Sequence, residues 1–335
     1  WNTDRFRLSL HLLHYDFSPA LTVGGQPYQQ FDDNGRRRTL ASVAYKTGFR
    51  SLYLFGETAV SDNGAVATVN GLRFSGLSWL SPTVVYRRYG NRYVSHYAAG
   101  FGEYSGTANE EGVYAGIECP VAPSLHLVAY HDWFRYFTPR YRATRPGHGR
   151  EIMAQLTYAR PRGEYRLYFK HEDKPEDQKI NGVTHTLSRV KQEYRLQIVL
   201  LPSSRLELRA RCALSRFRKD TIAEEGFLAY QDIVYASYDD RLKGQFRLAY
   251  FDTPSYDSRL YAYEHNVLYG FSFPAYYYRG FRAYLNLRWR PLPFATLYCK
   301  LGATYYPNRS SLSSYLSRVD ANHTFDLTFQ LRIKL

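Results

Sequence analysis

The final thirteen residues read HTFDLTFQLRIKL from His323, and from Thr324 they alternate strictly between polar and apolar. Leu327, Phe329, Leu331, Ile333 and Leu335 fall on one face, and Asp326, Thr328, Gln330, Arg332 and Lys334 on the other. A period of two belongs to a β-strand with one dry and one wet face. The same alternation recurs at 164–170, 191–200, 205–212, 245–250 and 281–290. A helix would spread these residues all round its axis and bury charge, so a helical reading fails.

Short Pro- or Gly-bearing turns interrupt the pattern at 47–49, 80–82, 120–123, 161–163, 201–204 and 291–293, with a polar turn at 238–241. Pro lacks a ladder donor and Gly relaxes φ, so both end strands. Between these turns lie longer polar segments at 16–37, 91–111, 137–149, 173–186, 217–226, 252–280 and 307–322, with SDNG at 61–64 as the one short member. Sixteen strands are expected: 5–15, 38–47, 50–60, 65–78, 83–90, 112–119, 125–136, 150–160, 164–172, 187–200, 205–216, 227–238, 243–251, 281–290, 295–306 and 323–335. Most reach the roughly 9–11 residues that cross a bilayer at a tilt. Short turns on one side and long loops on the other are the asymmetry of an outer-membrane barrel. The expected fold is therefore all-β: a single-domain (1–335) transmembrane antiparallel β-barrel of about sixteen strands, within 14–18, with short periplasmic turns and long extracellular loops.

Composition sharpens this. The chain holds 33 Tyr, 20 Phe and 4 Trp in 335 residues, and aromatics gather where strands should leave the membrane, as Trp79, Trp289 and Phe294 do beside short turns. Tyr15, Phe17, Trp133, Phe134, Tyr136, Phe137, Tyr305 and Tyr306 stand at the loop ends. Two such girdles suit a barrel. A soluble all-β core is the competing reading, and it leaves many wholly apolar outward faces unexplained. No stretch approaches the roughly 20 apolar residues of a spanning helix. The three cysteines, Cys119, Cys212 and Cys299, match no metal spacing and read as small outward-facing hydrophobes. The chain begins at Trp1 with no signal peptide, so a processed or trimmed chain is expected, with a soluble N-terminal part missing.

The net charge is +14. With the apolar face given to lipid, the wet faces of the clearest strands carry Arg5, Arg7, Arg166, Lys170, Lys191, Arg195, Arg205, Arg209, Arg211, Arg247, Arg282, Arg288, Arg290, Arg332 and Lys334. The acids beside them are Glu164, Glu193, Glu207 and Asp326. One reading is an anion-attracting conduit, because a cationic wall in a confined channel concentrates anions. The other is that Arg and Lys pair across strands and hold the barrel's shape.

Segment 252–280 carries Tyr256, Tyr261, Tyr263, Tyr269, Phe271, Phe273, Tyr276, Tyr277 and Tyr278. That is too aromatic for a solvated link. It reads as an extracellular loop forming a packed lid or extra hairpin, with a stacking surface for sugars or bases as the alternative. His131-Asp132 and His171-Glu172-Asp173 are the nearest approach to acid–base chemistry. Adjacent strand residues face opposite ways, and no nucleophile, zinc spacing, P-loop or dinucleotide fingerprint accompanies them. No enzyme, cofactor or metal is expected. Asp32-Asp33-Asn34-Gly35 and Asn109-Glu110-Glu111-Gly112 are too short for a calcium loop.

Several motifs fall in an ordered series. Phe55-Gly56-Glu57, Ser61-Asp62-Asn63-Gly64 and Asn70-Gly71-Leu72 come first. Tyr86-Arg87-Arg88-Tyr89, Phe101-Gly102-Glu103-Tyr104-Ser105-Gly106 and Asn109-Glu110-Glu111-Gly112 follow. Phe134-Arg135-Tyr136, Arg140-Tyr141-Arg142, Asp252-Thr253-Pro254-Ser255-Tyr256-Asp257-Ser258-Arg259, Tyr261-Ala262-Tyr263-Glu264 and Phe271-Ser272-Phe273-Pro274-Ala275-Tyr276-Tyr277 complete it. Together these resemble the C-terminal outer-membrane barrel of Bacteroidota proteins whose N-terminal part carries competence-type helix-hairpin-helix repeats. The resemblance implies a Gram-negative outer membrane and supplies no catalytic residues. Such repeats bind DNA backbone, and none is present in this chain.

The expected function is a porin-like, non-enzymatic conduit or translocation component with a basic lumen, for DNA or another polyanion. The alternative is a closed structural barrel anchoring a periplasmic domain or partner proteins in an outer-membrane assembly. Expected partners are outer-membrane lipid and lipopolysaccharide, nucleic acid or another polyanion, and other outer-membrane or periplasmic proteins.

Overall fold

The structure, a computed structural model, describes residues 6–33, 35–313 and 318–334. The strands are β1 (Phe6–Leu21), β2 (Gly35–Phe49), β3 (Leu52–Ser61), β4 (Val66–Phe74), β5 (Ser81–Tyr89), β6 (Glu110–Ala122), β7 (Leu125–Tyr136), β8 (Gly147–Arg160) and β9 (Gly163–Ile180). They continue with β10 (Val183–Ser203), β11 (Leu206–Lys219), β12 (Ile222–Ala236), β13 (Leu242–Thr253), the two-residue β14 (Leu260–Tyr261) and β15 (Ala275–Tyr276), β16 (Tyr278–Leu292), β17 (Ala295–Tyr305) and β18 (His323–Ile333). All but β14 and β15 form one sixteen-stranded sheet in which chain neighbours are sheet neighbours. An antiparallel meander of that many strands, apolar on one face and polar on the other, is a transmembrane β-barrel. Among the described residues, no helix is long and apolar enough to cross a membrane.

All sixteen expected strands are present, but two of the expected loops are not. Segment 173–186 continues β9 and β10, which turn at Asn181-Gly182, and segment 217–226 continues β11 and β12 to a turn at Asp220 and Thr221. The charges that made these stretches look solvated pair across the hairpin, as Arg189 does with Glu172 and Glu176. Asn181 (φ 51°) and Gly182 (φ +82°) both take the left-handed conformation that a two-residue hairpin turn requires.

The chain groups into two compact units: residues 1–154 with 170–190, and 155–169 with 191–335. In the second unit the register displays the two faces. One row runs Leu208, Ile233, Phe246, Leu285, Leu301 and Leu327 across six strands. The row one residue further on runs Arg209, Asp232, Arg247, Tyr284, Gly302 and Asp326. In the first unit the polar-face row is Val69, Arg87, Gly112 and Phe134. Cys119, Cys212 and Cys299 are free thiols, and their register partners include Leu127, Ala229, Leu287 and Phe329 on the apolar face.

Candidate functional site

The polar face of the second unit is covered by residues 254–277. Ala262 and Glu264 are fully buried there, and Leu260 and Tyr276 nearly so. β14 and β15 pair Leu260 with Tyr276 and Tyr261 with Ala275. Leu260, Ala262 and Tyr276 pack with Ala213, Leu228, Tyr230, Ala249 and Phe251 of β11–β13. Lys191 Nζ donates to the Arg259 carbonyl (2.8 Å), and the Asn286 amide to the Asn266 carbonyl (3.1 Å).

Glu264 is the centre of this contact. Its carboxylate accepts from Arg282 Nε (2.6 Å) and Nη2 (2.9 Å), from Lys300 Nζ (3.0 Å) and from the Tyr276 hydroxyl (2.8 Å). Burial by itself pushes this carboxyl up. The Arg282 hydrogen bonds and charge, joined by Lys300 and Tyr276, outweigh it and hold the group well below the usual range. Beneath this layer Arg247 donates to Asp232 through Nε (2.5 Å) and Nη2 (2.7 Å) and lies 3.7 Å from the centre of the Tyr230 ring.

The remaining expected basic residues are distributed as follows. Arg166 pairs with Glu164, Arg195 with Glu193, Arg209 with Glu207 and Arg288 with Asp240. Arg195 also lies over Tyr168, Arg205 over Tyr238 and Arg211 over Tyr230, with Arg211 Nε donating to Gln197 (3.0 Å). Lys170 bonds Glu151 (2.9 Å), and Arg7 lies opposite Lys46 on β2. Arg290, Arg332 and Lys334 are exposed at the short-turn end of their strands, and Arg5 lies outside the described residues. The sequence places four acids on this face, Glu164, Glu193, Glu207 and Asp326. The structure adds Glu110, Asp132, Glu151, Glu172, Glu176, Asp232 and Glu264, each paired with a cation. Asp132, Glu151, Glu172 and Asp232 stand in strands that the sequence already predicts, whereas Glu264 gives no local sign of its partners.

Among the aromatics of 252–280, Tyr261 and Phe273 stack with ring centres 5.6 Å apart, and Phe273 neighbours Phe271, which neighbours Tyr263. Tyr256 meets Tyr277, which meets Tyr278, and Tyr276 meets Phe251. Tyr269 is 88 % exposed.

The first unit builds a second charged cluster. Arg87, fully buried, donates to Glu110 (2.6 Å) and to both oxygens of Asp132 (2.8 and 3.0 Å). Gly112 makes room for it, since a Cβ there would stand 2.6 Å from the guanidinium carbon. Glu103, Glu151 and Glu172 converge nearby. Lys174 bridges Glu103 and Glu172, and Lys170 binds Glu151, so lysines supply the positive charge that a metal would bring. Burial pushes the Glu103 carboxyl up to about 7, against the pull of Lys174. The His131-Asp132 pair is divided between faces. Asp132 holds Arg87, while His131 stacks on Trp133 at 3.5 Å, and Trp133 shares the apolar-face register with Val113.

This architecture recurs among solved proteins. The siderophore receptor PirA from Acinetobacter baumannii superposes with a TM-score of 0.50 at 7% identity, over 98% of this chain and 57% of that one. The fold is that of an outer-membrane β-barrel. OmpT, an outer membrane protein of Vibrio cholerae, aligns over 99% of this chain and 98% of its own at 10% identity, with a TM-score of 0.45. An anion-selective porin from Comamonas acidovorans covers 98% of this chain and 99% of its own at 12% identity, with a TM-score of 0.48. No family model and no curated protein matches the chain. At such identities the likeness concerns the fold alone.

Proposed function

We propose that this chain is a non-enzymatic, plugged outer-membrane barrel of a Gram-negative cell that anchors or docks other proteins, in preference to an open anion conduit. The observation that carries the reading is the seating of 254–277 on the polar face through Glu264. One buried carboxylate engages two of the cations that would otherwise attract an anion, Arg282 and Lys300. Arg247 is likewise committed to Asp232. A cation already paired and desolvated offers little field to a passing anion, and a hydrogen-bonded segment leaves it no clear surface. The anchored part, on the family resemblance, is a helix-hairpin-helix region that holds DNA backbone. Nucleic acid is then a ligand of that region and not a cargo of the barrel.

Planar-bilayer recording tests this. The purified chain is expected to give no sustained anion-selective current. A steady anion-selective current from the intact chain would reverse the reading in favour of a conduit for DNA or another polyanion.

A further inference from the structure

The long connections of the first unit line an open cavity of about 470 Å³ between residues 21–33, 91–96, 104–109 and 138–141. Ligand pockets fall between about 300 and 1,000 Å³. Two charged residues of its walls are already engaged within the protein. Arg140 lies between the Tyr104 and Tyr136 rings, 4.0 Å from each centre, and donates to the carbonyls of Ala108 (2.8 Å) and Asn109 (2.6 Å). Asp33 is engaged by Arg38 and by His96 (2.7 Å).

What the walls leave open is a specific set. The Asp32 carboxylate and the Asn91 carboxamide make no side-chain hydrogen bond or ion pair among the described residues, yet both line the cavity. Beside them Tyr28 and Tyr141 meet edge to face, 5.7 Å between centres, and Tyr141 is 65 % exposed. An acceptor-only carboxylate, a carboxamide that both donates and accepts, and open tyrosine rings form a complementary group. Vicinal hydroxyls satisfy the carboxylate and the amide, and the C–H face of a pyranose ring lies on a tyrosine. An anion would meet Asp32. A wholly apolar ligand would leave Asp32 and Asn91 unpaired, which is costly.

We infer that this cavity is a binding site for a neutral saccharide, built from Asp32, Asn91, Tyr28 and Tyr141. The site stands in the loops of the first unit and is independent of the plugged-barrel reading. Two sources share the chemistry: a free glycan, and the neutral outer-core hexoses of lipopolysaccharide.

Isothermal titration of the full chain decides, in lauryldimethylamine oxide micelles so that no maltoside detergent competes. The probes are maltohexaose, cellohexaose, chitohexaose and a neutral, dephosphorylated outer-core hexose oligosaccharide of lipopolysaccharide, with choline chloride as a cationic control. At least one saccharide is expected to bind, and to weaken at least tenfold in both Tyr141→Ala and Asp32→Ala. Both side chains are exposed loop residues, so the barrel should still shift with heating on electrophoresis. Tyr269→Ala in the second unit should leave binding unchanged. Binding of the core alone assigns the cell's own lipid as the source, and binding of a hexasaccharide assigns an external glycan. No binding by any of the four, binding that survives both substitutions, or binding of choline alone overturns the inference.

Discussion

Asp232 and Arg247 face each other at one register position on β12 and β13, and both are essentially without solvent contact. A buried pair is weak evidence of stability as a pair, but removing one member strands the other. Asp232→Asn is therefore expected to lower the unfolding free energy by about 3–5 kcal/mol, read as a shift in urea midpoint in detergent. Arg209→Gln breaks a pair whose side chains are about a quarter exposed, and should cost less than about 1 kcal/mol. Equal costs for the two variants would refute the distinction. Glu264 makes the same argument titratable. Its folded pKa is depressed, so its contribution is complete above about 4.5 and is lost as pH falls toward about 2. Pepsin cleavage within 254–277 should rise across that window. Glu264→Gln, which has no charge to lose, should be cut readily at its upper end. Identical pH profiles for the two proteins would exclude Glu264 as the fastener.

At the scale of elements, β9 and β10 are the exception. They run 18 and 21 residues, well beyond the roughly 9–11 that span a bilayer. Their outer ends pack on the loops of the first unit: Lys174 reaches Glu103, Arg142 reaches Glu176 and Asp177 receives the Thr144 amide (3.0 Å). Charge density at 171–179 masks the alternation, so the sequence alone predicts a loop at 173–186. The Asn181-Gly182 dipeptide was the local signal that marked it as a hairpin. A Cβ at position 182 meets open space, so only the left-handed backbone opposes one there. Gly182→Ala is expected to cost about 1–2 kcal/mol locally. It should appear as faster amide exchange along 172–190, with global unfolding unmoved. Unchanged exchange there would show that packing on the loops, not the turn, holds the ribbon.

For the whole molecule, the decisive segment is 252–280. Deleting 254–277 takes the Glu264 carboxylate from Lys300 and from Arg282, which keeps Asp326 (3.1 Å), and removes the covering hydrogen bonds. The shortened chain is expected to conduct in planar bilayers with anion preference where the intact chain does not. A deletion that folds and stays silent would count against 254–277 as the plug. The fold was legible because period-two alternation is a local property: each residue's face follows from its neighbours, and such runs, spaced by short turns and long links, point to a barrel before any contact is known. Leu327 and Arg332 could be given faces from thirteen residues of sequence. The partners of those faces were not legible, because Glu264 reaches Arg282 and Lys300 only when a long loop turns back over the sheet. Asp32, Asn91, Tyr28 and Tyr141 likewise come together from three separate connections. Alternation determines which way a side chain points, and only tertiary structure decides what it meets, since loop return and register bring together residues far apart in the chain.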